Sequence, residues 1–257
     1  MMVLTSDEIH LWLAYYDEID DAQLHATYRA LLNAAEQQQE PRFYFAKDRL
    51  RYLVTRALVR TVLSRYLPVA PNDWIFSANA YGRPQLENVE ARASELSFNI
   101  SHTHSLIVLG VTQGRELGVD VENVRAREVS IDIADRYFAP GEVAALAEAP
   151  VDRQQDRFFE YWTFKESYIK ARGMGLSIPL DKFSFRYPHE HAVELAVDPE
   201  LADTAARWQF WQFRPTPHYL VAVCAERLHA PPTVVVRKTI PLMTEELLAP
   251  TFLKTSQ

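Results

Sequence analysis

The run Leu117-Gly118-Val119-Asp120-Val121-Glu122 constrains this chain more than any other, because it is apolar enough to be a buried strand yet carries two acids two residues apart. Alternation along a strand sends both carboxylates to one face and leaves Val119 and Val121 to fill the other. In Trp162-Thr163-Phe164-Lys165-Glu166-Ser167-Tyr168-Ile169-Lys170, the residues Trp162, Glu166 and Lys170 recur at every fourth position. A carboxylate and an ammonium therefore share one side of a helix. A third piece, Phe98-Asn99-Ile100-Ser101-His102, closes an apolar run with a hydroxyl and an imidazole. Together the three pieces describe a site for magnesium and phosphate.

With 257 residues and an ordinary balance of apolar and charged residues, the chain suits one large domain or two small ones. No stretch approaches the roughly 20 continuous apolar residues of a membrane helix, and Met1 to Asp7 lacks the layout of a signal peptide. The expected location is the cytoplasm. The single cysteine, Cys224, lies in a strand-like run with no second thiol to pair with, and reads as a core residue. A net charge of -7 argues against a general nucleic-acid binder, which needs a basic field. Between Arg42 and Arg65, however, Lys47, Arg49, Arg51, Arg56 and Arg60 are opposed only by Asp48. A locally cationic segment in an acidic protein points to a small anionic ligand.

Strand character marks Ile9 to Tyr15, and helix-forming composition marks Asp20 to Gln39, which Pro41 interrupts. From Lys47 to Tyr66 the residues Leu50, Leu53, Val54, Ala57, Leu58 and Val62 recur at the period of an amphipathic helix, with Arg49, Arg56 and Arg60 on another stripe. Gly82-Arg83-Pro84 is a turn signal, strands follow at Leu96 to Ile100 and Leu106 to Thr112, and the acid-bearing strand comes next. Pro140 opens a helix, and a long helix runs from about Asp156 to Arg172 and ends at Gly173. Phe183 to Tyr187, Trp208 to Phe213 and Tyr219 to Cys224 read as an antiparallel meander, and Thr233 to Lys238 as an extra strand in a tail from about residue 229. The expected fold class is α+β, in two subdomains, 1–115 and 116–257, each with helices packed on a small, mainly antiparallel sheet.

Asp120, Glu122 and Glu166 are three carboxylates on two regular elements, a way to fix the oxygen ligands that magnesium prefers. Waters and substrate phosphates would complete the octahedron, and manganese fits the same oxygens. Taken singly, each acid reads first as an ordinary solvated residue, and a Glu166–Lys170 pair on a helix surface is worth only about 0.2–0.5 kcal/mol. Lys165 and Lys170 flank Glu166, where a cation meets a metal-held phosphate. His102 either binds phosphate or caps a turn, and His104 lacks a third soft ligand for zinc. The absence of a Walker loop and of G-x-S-x-G weakens kinase and serine-hydrolase readings.

With these residues assembled, the chain resembles the Sfp-type 4'-phosphopantetheinyl transferases from about Arg42 to Phe185. Leu117 to Glu122 matches the family's GVD-x-E element and Trp162 to Lys170 its W-x-x-KE-S-x-x-K element, with Phe98 to His102 and Gly82-Arg83-Pro84 in support. The resemblance implies a pseudo-dimeric monomer of two similar α/β subdomains with coenzyme A held between them. It puts the metal on Asp120, Glu122 and Glu166, Lys170 on the diphosphate, and Ser101 with His102 on the ribose phosphate. Arg83 and Pro84 would lie along the nucleotide. Arg83 stands where many members have lysine, a fork in place of a point charge. Arg42, Lys47 and Arg51 are the substitutes for lysines that some members carry upstream.

The implied activity moves the 4'-phosphopantetheine arm of coenzyme A to a serine of an apo acyl or peptidyl carrier protein and releases 3',5'-ADP. Glu166 would take the serine proton, and Lys170, with Lys165, would stabilise the leaving group. Arg125 and Arg127 are candidates for docking an acidic carrier. Two further readings are a non-catalytic coenzyme A or carrier-binding module, which the presence of all three acids and both lysines disfavours, and a metal-dependent phosphodiester hydrolase.

Overall fold

The computed structural model describes residues 1–126, 128 and 131–256. In chain order the helices are α1 (Ala22–Leu31), α2 (Ala34–Gln39), α3 (Ala46–Leu63), α4 (Val89–Ala93), α5 (Pro140–Glu148) and α6 (Val151–Arg172). The strands are β1 (Glu8–Tyr15), β2 (Phe76–Ala78), β3 (Pro84–Leu86), β4 (Leu96–His102), β5 (Leu106–Gln113), β6 (Leu117–Asn123) and β7 (Phe183–Arg186). They continue as β8 (Glu194–Val197), β9 (Trp208–Thr216), β10 (Tyr219–Glu226), β11 (Thr233–Ile240), β12 (Thr244–Leu248) and β13 (Phe252–Thr255). Helices on mainly antiparallel sheets make this an α+β protein. The chain divides into two units, Met1–Ser77 with Pro84–Gly114 and Pro232–Ala249, and Ala78–Arg83 with Arg115–Pro231 and Pro250–Gln257. Among the described residues no helix is long and apolar enough to cross a membrane.

The first unit is built on a five-stranded sheet in the order β12-β11-β1-β5-β4. Its pairs are antiparallel except β1 with β11, which run parallel from Glu8 opposite Thr233 to Leu13 opposite Lys238. The apolar stripe of α3 becomes core, with Leu53, Val54, Ala57, Leu58 and Val62 buried alongside Trp12, Ile107 and Leu109. Where the composition suggests a single helix from Asp20 to Gln39, the chain breaks before Asn33. There Asn33 Oδ1 accepts from the Glu36 amide at 2.9 Å and Glu36 Oε2 accepts from the Asn33 amide at 3.0 Å. This capping box starts α2 afresh.

Arg60, on the stripe apart from the apolar one, does not face solvent. It is fully buried, with Nη2 2.7 Å from Glu36 Oε2 and Nη1 donating to the main-chain oxygens of Pro71 and Trp74 at 2.9 and 3.2 Å. Arg56 Nε approaches the same carboxylate at 3.7 Å. Part of the positive charge that pointed to an anionic ligand is therefore neutralised inside the unit, where a buried arginine is tolerated because it is paired and hydrogen-bonded.

The second unit holds a four-stranded antiparallel sheet, β13-β9-β10-β6, against which α6 packs. The expected meander holds for β9 and β10, which β6 extends on the far side of β10, but β7 leaves it to pair with β8 in a separate two-stranded sheet. Its side chains explain the choice, because Phe183 packs on Tyr168 and Phe185 on Phe164, both on α6, at ring separations of 4.7 and 5.3 Å. Helix α6 ends where expected: Gly173, at φ 65°, adopts the left-handed C-cap conformation that a side chain disfavours. Cys224 is buried in β10, and burial lifts its thiol well above the ordinary range.

Candidate active site

Asp120 sits in the middle of β6, opposite Ala222 of β10, with Glu122 two positions on, opposite Leu220. What brings α6 down onto this strand is Gly118. A Cβ at that position would lie 2.0 Å from the Ser167 main-chain oxygen and 2.4 Å from the Ala171 nitrogen, so only glycine permits the approach. The helix then presents Trp162, Glu166 and Lys170 to the acid face of the strand, as the spacing anticipates. Lys170 Nζ reaches Asp120 Oδ1 at 2.6 Å. Trp162 Nε1 donates to Glu122 Oε1 at 3.1 Å, which gives this half-buried indole a polar task.

Glu166 is the electrostatic centre of this group. Burial raises its pKa above the ordinary value, the nearby Asp120 carboxylate raises it further, and Lys170 pulls it partly back. Two carboxylates thus share one ammonium in partly desolvated surroundings. Among the described residues no three His, Cys, Asp or Glu side chains converge to enclose a cation unaided. The donor set nonetheless fits magnesium: hard oxygens only, an excess of negative charge over Lys170, and coordination positions left for phosphate oxygens and water. A divalent cation would relieve the repulsion that lifts Glu166.

Lys165 requires a correction. Expected beside a phosphate, its side chain is instead wholly inaccessible, with Nζ 2.8 Å from Glu142 Oε2 and donating to the main-chain oxygens of Leu180 and Phe183 at 2.7 Å each. One position before Glu166 on a helix, a side chain points about 100° away, here into the core. Glu142 also accepts from the amides of Ala139 and Phe185, both at 2.8 Å. Burial pushes Glu142 up and Lys165 down, and each opposes the shift of the other. Sequence reasoning does not find this role of Glu142, although an acid two residues after Pro140 at a helix start is a recognisable capping position.

Arg83 is also committed to protein. Its Nη1 donates to Glu116 Oε2 at 2.6 Å and to the Ala171 main-chain oxygen at 3.0 Å, and Nη2 to the Leu117 oxygen at 3.3 Å. The fork ties the last turn of α6 to the start of β6, inside the second unit. The remaining expected residues belong to the first unit. Pro84 is exposed at the start of β3, while buried Ser101 and exposed His102 end β4 opposite Val108 and Ile107. Arg42 and Lys47 are exposed, Arg42 reaching Gln39 Oε1 at 3.4 Å, and Arg51 pairs with Asp48 at 3.1 Å.

Residues 116–224 match the family model described as the 4'-phosphopantetheinyl transferase superfamily, and residues 20–113 match that of the 4'-phosphopantetheinyl transferase N-terminal region. The chain is 33% identical to the 4'-phosphopantetheinyl transferase HetI of Nostoc sp., over 86% of this chain and 89% of the relative. It is 31% identical to the 4'-phosphopantetheinyl transferase Sfp of Bacillus subtilis, over 82% and 89%. A crystal structure of Thermotoga maritima holo-[acyl-carrier-protein] synthase matches 44% of this chain and 62% of its own, at TM-score 0.36 and 18% identity. Given its two matched regions and these relatives, the chain belongs to the 4'-phosphopantetheinyl transferase superfamily and is an enzyme of that class.

Proposed function

We propose that this enzyme moves the 4'-phosphopantetheine arm of coenzyme A to a serine hydroxyl of an apo acyl or peptidyl carrier protein and releases 3',5'-ADP. The observation that carries the reading is the grouping of Asp120, Glu166 and Lys170 across β6 and α6, with Lys170 Nζ 2.6 Å from Asp120. The serine oxygen forms a bond to the β-phosphorus as the bond from that phosphorus to the bridging oxygen breaks. Glu166 takes the serine proton, and a carboxyl lifted by burial is a stronger base than an ordinary one. Lys170 faces the negative charge that gathers on the departing phosphate. Asp120, Glu122 and Glu166 are the residues that would hold magnesium. When bound, the ion supplies charge neutralisation at the diphosphate.

Ser101, His102, Arg42, Lys47 and Arg51 are assigned to the phosphate and nucleotide end of coenzyme A, with Pro84 alongside, and Arg83 to shaping the turn before it. Arg125, exposed just beyond β6, offers positive charge to an acidic carrier. Arg127, its expected companion, lies outside the described residues. The reaction is placed in the cytoplasm and in a single chain; an obligate trimer in sedimentation would contradict the latter.

Intact mass spectrometry of an apo carrier protein incubated with the enzyme, coenzyme A and magnesium tests the proposal. The expected result is a mass gain of one phosphopantetheine arm, abolished by a chelator. Release of phosphopantetheine with no carrier present would support the hydrolase instead, and coenzyme A binding without transfer to any of several carriers would support the non-catalytic module.

A further inference from the structure

Helix α6 has a second polar face. Arg157 and Glu160 lie about 180° and 120° around the helix from Glu166, so they point away from it, with Asp156, about 80° from Glu166, at the border of the two faces. With Tyr187, Arg214 and Lys254 they line a cleft of about 420 Å³ within the second unit.

The ion pairs of this cleft are loose. Arg157–Glu160 and Arg214–Asp156 stand at 3.2 Å and Lys254–Glu160 at 3.6 Å. Elsewhere in the same unit Lys165–Glu142, Lys170–Asp120 and Arg172–Asp203 close to 2.8, 2.6 and 2.9 Å, while the surface pairs Lys182–Asp198 and Arg186–Glu194 stand at 3.2 and 3.8 Å. Full-strength charge-assisted bonds run at about 2.7–2.9 Å. Asp156 Oδ1, Glu160 Oε2 and the Tyr187 hydroxyl are buried without a well-formed hydrogen bond. Such groups are uncommon in folded proteins, and each calls for a partner from water, an ion or a ligand. Lys254 is only 5% exposed, with its ammonium 3.1 Å from the Glu190 main-chain oxygen and 4.8 Å from the Tyr187 ring centroid. Burial holds its pKa below that of an ordinary lysine despite the pull of Glu160, and Arg157 lowers it further.

Four cations, Arg153, Arg157, Arg214 and Lys254, and three carboxylates, Asp156, Glu160 and Glu190, leave one positive charge in excess, while Asp156 and Glu160 still need donors. We infer that this cleft binds a small phosphorylated polyol, its phosphate held by Arg157, Arg214 and Lys254 and its hydroxyls donating to Asp156 and Glu160. Arginine forks match phosphate oxygens in pairs, and a hydroxyl meets a carboxylate oxygen better than a guanidinium beyond hydrogen-bond geometry does.

Glycerol 3-phosphate, the smallest probe carrying both groups, tests this by calorimetric titration of the full chain in phosphate-free buffer. The expected result is saturable binding at one site, tighter than that of inorganic phosphate. Removing one charge-assisted fork in Arg214→Gln should weaken it about tenfold. Asp120→Asn, at the transfer site, should leave the affinity unchanged. Asp156→Asn, which keeps the shape, should lower affinity for glycerol 3-phosphate and spare inorganic phosphate; equal affinities of wild type for the two probes would overturn the role given to the hydroxyls. No saturable binding, or binding that responds to Asp120→Asn and not to Arg214→Gln, would overturn the site.

Discussion

Lys165 and Lys170 leave the same helix five positions apart and meet carboxylates at nearly equal distances, 2.8 and 2.6 Å, yet they inhabit opposite worlds. Lys165 and Glu142 are both at 0% exposure, and their remaining donors and acceptors are taken up by main-chain groups. Lys170 is 26% exposed and its acid, Asp120, is shared electrostatically with Glu166. Distance therefore does not separate a structural ion pair from a reactive one. The separation comes from what surrounds the pair: saturation fixes the first, and an unbalanced second carboxylate leaves the other ready for a ligand.

The sharpest test of the contrast is Lys165→Met, which strands Glu142 in the core and should cost about 3–5 kcal/mol in denaturant unfolding. Adding Glu142→Leu should recover most of it, because a buried pair replaced by apolar groups of similar volume is close to neutral. A cost under about 1 kcal/mol for the single variant, the range of exposed pairs, would break the comparison. On the other face, Asp120→Ala and Glu166→Gln should each lower transfer by roughly 10²–10³-fold, the loss typical of a preorganised charged group, with the fold intact by circular dichroism. Full activity in either would remove that residue from the site.

Gly118→Ala sits between the two behaviours. Its Cβ meets main chain rather than a flexible side-chain end, so β6 must shift from α6, at a cost near the upper end of about 1–3 kcal/mol, and transfer should fall with it. The smallest effect is a matter of sign. The folded-state pKa of Glu166 lies above its unfolded value, so its contribution to stability is present below the ordinary value of 4.5 and lost as pH rises through the raised value. Glu166→Gln should therefore be slightly more stable than wild type at neutral pH in the absence of metal. The gain should vanish in acid, and a variant less stable at neutral pH would contradict the burial argument.

The sequence reads most clearly where periodicity and chemistry coincide. Asp120 and Glu166 with Lys170 needed only a strand period, a helix period and one meeting point, whereas the part Gly118 plays in that meeting shows only once β6 and α6 are packed together. Lys165 misled because adjacency to Glu166 on paper becomes a different direction on a helix, and its partner Glu142 lies 23 positions upstream (165 − 142) in another element. Arg60 misled for the same reason: a stripe of arginines says nothing of Glu36, whose carboxylate takes it inward. The break at Asn33 was legible as a capping box, whereas the departure of β7 from the meander rests on aromatic packing that alternation does not encode.

The parallel pairing of β1 with β11 joins Glu8 to Thr233, 225 positions apart (233 − 8). During synthesis, then, β1 emerges long before β11, the strand that covers one of its edges, and β9 likewise waits for β13. Such long closures slow folding and keep strand edges open to wrong partners. A nascent chain stalled before residue 232 would carry every residue of the transfer site and still lack the strands that finish both main sheets.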